Sequence, residues 1–374
     1  MLDCINLLLK ECEVKVVHWP INPEAPFEFE VANHIELIPK NEIQNLSEYL
    51  AKENPNAIFV TGWIDKEYSK ALKSYKGATN KVIMFDTSWK GTLKQQAGLL
   101  YLNPFVSNTF DFAFVTGSKQ KEYAQKLGIS SNYIFTGLYS ANVSQFQSYP
   151  ELGRRALKIN SSAVASAKVE NQFIRRSFSE GGKPKTLPRR QAGKNQKPKS
   201  ILYLGRYVKH KGIFELWQAF TELVEEGFES RSLSGWKLVC AGTGDQWENR
   251  VQHPNIEHKG FVQPKDFGPL IQQASFYVLP SHFEPWGVSV HEMAAAGLPM
   301  VISDQVGAKE VFLEESKNGF TFQGGDKEAL KAALKQMMQK SPEQLTEMGN
   351  LSQQLAQKIT PQKWVATVME MVNS

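Results

Sequence analysis

The chain is poor in cysteine and has no cysteine pattern. Its three cysteines, Cys4, Cys12 and Cys240, form no Cys-x-x-Cys. That excludes a disulfide-stapled secreted scaffold and the common zinc-binding spacings. A reducing, cytoplasmic compartment fits. There is no run of about 18 apolar residues, so no segment reads as a membrane-spanning helix. The apolar Leu7-Leu8-Leu9 is too short for the core of a signal peptide, and no basic stretch precedes it. Charge of one sign is not in large excess either. A formal net charge of +5 over 374 residues is weak grounds for an anionic partner. Acidic residues are scarce in one place only. Residues 151–200 hold 13 Lys or Arg against 3 Asp or Glu, a net +10 that leaves −5 for the rest of the chain. Aromatic residues are not regularly interleaved with those charges, which speaks against a nucleic-acid partner. The segment 151–199 reads as a partly disordered basic linker or insertion. The other reading is a basic arm for an anionic acceptor or for anionic lipid headgroups, which would place the protein peripherally on the inner face of a membrane.

What is present is an ordinary globular composition, 41% hydrophobic and 22% charged, in a chain long enough for two domains. Short apolar runs alternate with helix-forming stretches in both halves. In the first half the expected strands are Val14–Trp19, His34–Ile38, Ala57–Thr61, Lys81–Phe85, Phe110–Val115 and Tyr133–Thr136. Helices are expected near Met1–Cys12, Glu42–Lys52, Lys66–Ser74, Thr92–Leu102 and Ser118–Leu127. In the second half the clearest strands are Ile201–Leu204, Lys237–Ala241, Phe276–Pro280 and Met300–Ser303. This alternation predicts doubly wound parallel sheets, an α/β fold. The expected organisation is an N-terminal Rossmann-like acceptor domain over 1–150, the basic segment, a C-terminal Rossmann-like donor domain over 200–360, and a terminal helix over 361–374 that crosses back to the first domain. The first half opens on a helix where such a domain normally opens on a strand and a Gly-rich turn. A missing strand would leave a raw edge or gap near the middle of its sheet.

Three constellations carry chemistry. Strand Ile201–Leu204 runs into Gly205-Arg206-Tyr-Val-Lys209-His-Lys211-Gly212, with a helix behind it. A helix start beside Arg and Lys is an anion site, although a surface turn with solvated cations has the same pattern. Strand Lys237–Ala241 runs into Gly242-Thr-Gly244, where glycines allow close approach of the backbone to a ligand or simply make a turn. Strand Phe276–Pro280 runs into Ser281-His-Phe-Glu284-Pro-Trp286-Gly287-Val288, then a helix carrying Glu292 and closing at Gly297. Both carboxylates can face the crevice at the C-terminal ends of the strands, where open α/β sheets bind ligands. Alone, the pair reads more readily as a surface helix with two solvated acids.

Taken in order, Gly-Arg-x4-Lys-Gly, Gly-x-Gly, Gly260-Phe-Val and Glu-x7-Glu with Ala-Ala-Gly-Leu-Pro behind it closely resemble the C-terminal half of retaining GT-B glycosyltransferases of family 4. The likeness spans residues 200–325. The resemblance implies two Rossmann-like domains facing a cleft. It also implies transfer of a sugar from a nucleotide-diphosphate donor to a glycan or lipid-linked hydroxyl acceptor, in cell-surface polysaccharide or glycolipid synthesis. Arg206 and Lys211 would hold the diphosphate. Glu292 would accept hydrogen bonds from the ribose, and Glu284 would lie beside the transferred sugar. The N–H groups of Trp286, Gly287 and Val288 would meet the sugar or the β-phosphate. With no Asp-x-Asp in the chain, neither metal nor other cofactor is expected. The family commonly has a His at the strand end occupied here by Phe85-Asp86. Asp86 would contact or orient the acceptor, or cap a neighbouring turn. Trp19, Trp89 and Gln95 fall near strand ends and suit either an acceptor sugar or packing. Glu310 is placed to line the site or to cap a helix, while His282 and His291 read as surface or packing residues. Competing readings are a phosphorylase or an epimerase on this fold, or a non-catalytic nucleotide- or glycan-binding subunit.

Overall fold

The computed structural model describes residues 2–19, 35–149, 199–230 and 235–374. The expectations for 151–198, the basic arm included, lie outside these residues.

In the first domain the strands are β1 (Lys15–His18), β2 (Glu36–Pro39), β3 (Ala57–Thr61), β4 (Asn80–Phe85), β5 (Phe112–Val115) and β6 (Ile134–Thr136). The last four form one parallel sheet in the order β3-β4-β5-β6. Strand β5 is buried along its length, which is why Phe-Ala-Phe-Val reads as an unbroken apolar run. Strands β1 and β2 pair in parallel with each other alone, Lys15 opposite Glu36. Among the described residues no strand joins β1 to β3, so the first domain has two separate sheets. Polar side chains fix the helix starts. Asp65 accepts from the N–H groups of Glu67 and Tyr68 at 2.8 and 3.1 Å ahead of helix Lys66–Ser74. Thr92 does the same for Gln95 ahead of helix Leu93–Ser107.

The second domain is a single six-stranded parallel sheet: β7 (Ser200–Leu204), β8 (Lys237–Ala241), β9 (Ile256–His258), β10 (Phe276–Leu279), β11 (Met300–Ser303) and β12 (Gly319–Phe322). Its order is β12-β11-β10-β7-β8-β9. The chain winds outward from β7 through β8 and β9, then returns to lay β10 on the other side of β7. The switch point of this sheet therefore lies between β7 and β10, and a crevice forms outside their C-terminal ends. The stretch Pro264–Gln273 is not one continuous helix. A 3-10 turn, Pro264–Asp266, precedes helix Gly268–Gln273, because Pro269 sets a new first turn.

Helix Pro361–Asn373 packs on the first domain. Trp364 and Met371 share a buried cluster with Cys4, Leu8, Phe112 and Phe114. The indole N–H of Trp364 donates to the carbonyl of Leu138 at 2.9 Å, and Asn80 donates to the carbonyl of Met371 at 2.9 Å.

Candidate active site

The turn after β7 and the loop after β10 meet at the switch point. His282 N–H donates to the His210 carbonyl at 2.8 Å. Gly212 has φ 67°, and a Cβ there would lie 2.1 Å from the Pro280 carbonyl oxygen. Only glycine permits so close an approach in that conformation. These contacts bring Lys211 against Glu284, and the ammonium pairs with the carboxylate. Both side chains are half-buried. Arg206, one turn earlier, is exposed and makes no ion pair among the described residues. Its position is set by the glycines after β8. A Cβ on Gly242, at φ 145°, would lie 1.9 Å from the Gly205 carbonyl oxygen, and one on Gly244 would lie 2.5 Å from that of Tyr207. The close approach expected of these glycines is thus made to the Gly205–Tyr207 turn, and Tyr207 N–H donates to Thr243 O at 2.9 Å across it.

Helix Val288–Ala295 starts at Gly287, which takes the left-handed conformation with φ 95°. Its first N–H groups have no helical acceptor and open onto the end of β10. Val288 is exposed, whereas the Trp286 side chain is buried against Phe312 and serves the core. Glu292 lies one turn further on. It is half-buried, and desolvation pushes its carboxyl up to about 7. At neutral pH this group is therefore poised between its two protonation states. Among the described residues no group of three His, Cys, Asp or Glu side chains is placed to hold a metal ion.

The first domain closes over this surface with the loops after β4 and β5. The Ser118 N–H donates to Glu310 Oε1 at 2.7 Å, and the Ser118 hydroxyl donates to the other oxygen. Glu310 thus caps helix Ser118–Lys126, which belongs to the other domain. The Gln120 amide donates to the Asp86 carbonyl at 2.8 Å and to the Pro285 carbonyl at 3.3 Å. It joins the backbones beside both candidate carboxylates, Asp86 and Glu284. The Lys90 ammonium stands 3.5 Å from the centre of the Phe283 ring. Deeper in the seam, His291 accepts the Ala141 N–H on Nδ1 at 3.1 Å. Its Nε2, the protonated nitrogen, donates to the Ala356 carbonyl at 3.0 Å. Burial pushes this imidazole down to about 4, so it stays neutral.

On the acceptor side Asp86 accepts from the Tyr139 hydroxyl at 3.3 Å, and burial raises the Tyr139 phenol to about 12. The other candidates are held elsewhere. Trp19 is 54% exposed and donates to Asp65 at 2.9 Å. Trp89 packs on Tyr123 with Lys126 over its ring. Gln95 spends both ends of its amide on the backbone of Lys90 and Ser88, so it shapes the loop that carries Asp86. Sequence reasoning passed over Ser118, Gln120 and Tyr139. No spacing signal marks them, because each works across the cleft or across the domain.

Residues 185–355 match the family described as glycosyl transferases group 1. An uncharacterized glycosyltransferase of Methanocaldococcus jannaschii is 34% identical over 134 residues, 34% of this chain and 33% of that protein. The glycogen synthase of Mycobacterium tuberculosis is 31% identical over 148 residues, 38% of this chain and 34% of the other. A capsular polysaccharide biosynthesis glycosyltransferase of Staphylococcus aureus is 28% identical over 141 residues, 37% of this chain and 36% of that one. The chain spans about a third of the length of these curated relatives. Among solved structures, sucrose-phosphate synthase from Thermosynechococcus elongatus superposes with a TM-score of 0.67 at 17% identity, covering 98% of this chain and 90% of that one. Anabaena HepE in complex with UDP and glucose gives 0.66 at 12% identity, covering 100% and 96%. The likeness in fold thus takes in both domains, while the likeness in sequence is concentrated in the second. Residues 185–355 thus resemble the glycosyl transferases group 1 family, and the two domains together have the GT-B fold.

Proposed function

We propose that the cleft transfers a sugar from a nucleoside diphosphate to a hydroxyl acceptor, with retention at the anomeric carbon, in the synthesis of a cell-surface polysaccharide or glycolipid. The observation that carries this reading is the meeting of Lys211 and Glu284 at the switch point, with Arg206 on the same turn as Lys211 and Glu292 on the helix that follows Glu284. A departing nucleoside diphosphate gains negative charge as its bond to the sugar breaks. Arg206, Lys211 and the N–H groups at Gly287 and Val288 are preorganised to meet that charge without a metal ion. Glu292 accepts the ribose hydroxyls, and Glu284 contacts the sugar. Asp86, steadied by Tyr139, orients the acceptor hydroxyl. The acceptor oxygen attacks the face the phosphate leaves, and its proton passes to the departing phosphate oxygen. Incubation with UDP-, GDP- and ADP-sugars, followed by proton NMR of the anomeric signal, tests this. Release of nucleoside diphosphate with a product of unchanged anomeric configuration is expected, in the presence of EDTA. Inversion, or consumption of orthophosphate, would sink the reading.

The raised pKa of Glu292 gives a second test. Accepting two hydroxyls favours the ionised carboxyl, so binding of UDP expels the proton that the free site holds near pH 7. Wild-type affinity for UDP, relative to Glu292→Gln, should rise between pH 5.5 and 7.5, roughly around the carboxyl's own midpoint. Above that range the wild type should bind about tenfold or more tightly than the variant. Titration calorimetry in two buffers of different ionisation enthalpy reads the released proton. Equal affinities and no proton release in either protein would remove Glu292 from the ribose site. For the free protein the sign is opposite. Burial of this carboxyl favours the folded state below its ordinary range, and that contribution is lost as pH rises through about 7.

A further inference from the structure

We propose that the face of the first domain formed by helices Leu93–Ser107 and Lys66–Ser74 docks on an anionic lipid bilayer. Helix Leu93–Ser107 breaks the usual rule for a surface helix. Leu93, Leu100 and Tyr101 are 83%, 76% and 81% exposed. With Ala97 and Pro104, also exposed, they recur at i, i+4, i+7, i+8 and i+11, which is one face of a helix. Ile64, 89% exposed, follows β3, whose C-terminal end lies beside that of β4 in the parallel pair. It therefore belongs to the same end of the sheet as the loop that leads into Leu93. Single exposed apolar side chains are common on soluble proteins, but an aligned group of large ones is not.

The charge around this face points to the partner. Lys66, Lys70 and Lys73 are all exposed at i, i+4 and i+7 of the neighbouring helix. The Lys73 ammonium lies 4.6 Å from the centre of the Phe105 ring, which joins that basic stripe to the apolar helix. Lys90 and Lys94 stand at the other end, and residues 87–108 contain no Asp or Glu. An apolar stripe bordered by lysines is the pattern of an element that lies in the headgroup region, with its apolar side in the acyl boundary and its cations on acidic headgroups. The contact is shallow and reversible, since no described helix is long and apolar enough to cross a membrane. It places the loop that carries Asp86 and Lys90 next to the bilayer. The inference stands on exposure and charge and does not depend on the donor chemistry. It assigns the contact to a surface other than the basic segment 151–199.

The test is co-sedimentation of the full chain with vesicles of phosphatidylcholine alone and of phosphatidylcholine with 30% phosphatidylglycerol. The wild type should bind the acidic vesicles at least about tenfold more tightly, with binding weakened by salt. The double variant Leu100→Ser, Tyr101→Ser should lose about tenfold or more of that binding. Lys66→Gln, Lys70→Gln should lose a comparable amount, with thermal unfolding unchanged in both because the side chains are exposed. Three results would overturn the proposal: no preference for acidic vesicles, variants that bind as well as the wild type, or a wild type that self-associates in lipid-free solution through Leu100 and Tyr101. Equal binding by the variants would return the contact to the basic segment. Self-association would make the face an interface between two copies.

Discussion

Lys211→Ala is expected to lower turnover of the nucleotide sugar by about 10²- to 10³-fold, with a smaller loss in affinity for the sugar moiety. The reason is positional. Lys211 reaches the crevice from a turn pinned by the His282–His210 hydrogen bond and by the Gly212–Pro280 contact. Its charge is therefore already in place when the leaving phosphate becomes more negative, and no reorganisation is needed. In the free protein this ammonium is engaged with Glu284. Donor binding must exchange that carboxylate for phosphate oxygens, and this makes a second variant informative. Glu284→Gln frees Lys211 and should leave UDP binding unchanged or tighter, while transfer still falls because the sugar contact is altered. Lys211→Arg should recover only part of the loss, since a planar guanidinium does not fit a point-charge position. Steady-state kinetics with UDP-release detection separates these outcomes. If Lys211→Ala keeps full turnover, the diphosphate is held elsewhere.

Trp364→Ala is expected to destabilise the first domain by about 3–5 kcal/mol, as large-to-small changes in cores do, and to lower its melting temperature by on the order of 10 °C. The indole is buried, its ring centre is 6.0 Å from that of Phe114, and its N–H satisfies the Leu138 carbonyl. Trp364→Phe keeps most of the packing and loses the hydrogen bond, so about 1 kcal/mol should go. Calorimetry of the three proteins reads the ratio. A melting temperature unchanged in Trp364→Ala would mean that the terminal helix is not held on the first domain in solution. The same variant should loosen the cleft, because helix Pro361–Asn373 belongs by sequence to the second domain and by packing to the first.

The strands were legible because they are buried on both faces. Phe276–Leu279 is apolar throughout, Met300–Ser303 is apolar up to its last residue, and every residue in both is buried. Helix starts were legible where a single polar residue caps them, as Asp65 and Thr92 do. The meeting of Lys211 and Glu284 could be read because they sit on the turns that follow β7 and β10, strands that the sheet itself lays side by side. The cleft seam could not be read. Glu310 reaches Ser118 across 192 residues, and the chain near Ser118 carries no sign of it. Glu310 does cap a helix, one of the two roles its position allowed, but the helix lies in the opposite domain. Trp89 lies in the loop after β4 and Gln95 in the first turn of the helix behind it, where side chains can face a ligand, yet local packing and backbone hydrogen bonds occupy them. No spacing rule separates those two uses.

The division of the first domain into two sheets bears on how this part of the molecule opens. A two-stranded ribbon shares no ladder with its neighbour and gains little from the main sheet's cooperativity. Strands β1 and β2 are tethered chiefly through side chains, with Lys15 bonded to Glu53 at 2.6 Å and Lys40 paired with Glu67. In native-state hydrogen exchange, the amides of 15–18 and 36–38 should therefore behave as a foldon of their own. They should lose protection at lower denaturant than β4 and β5, and lose more of it as salt screens the lysines. The first domain then has a soft half and a firm half, and the firm half carries the loops that close over the crevice of the second domain.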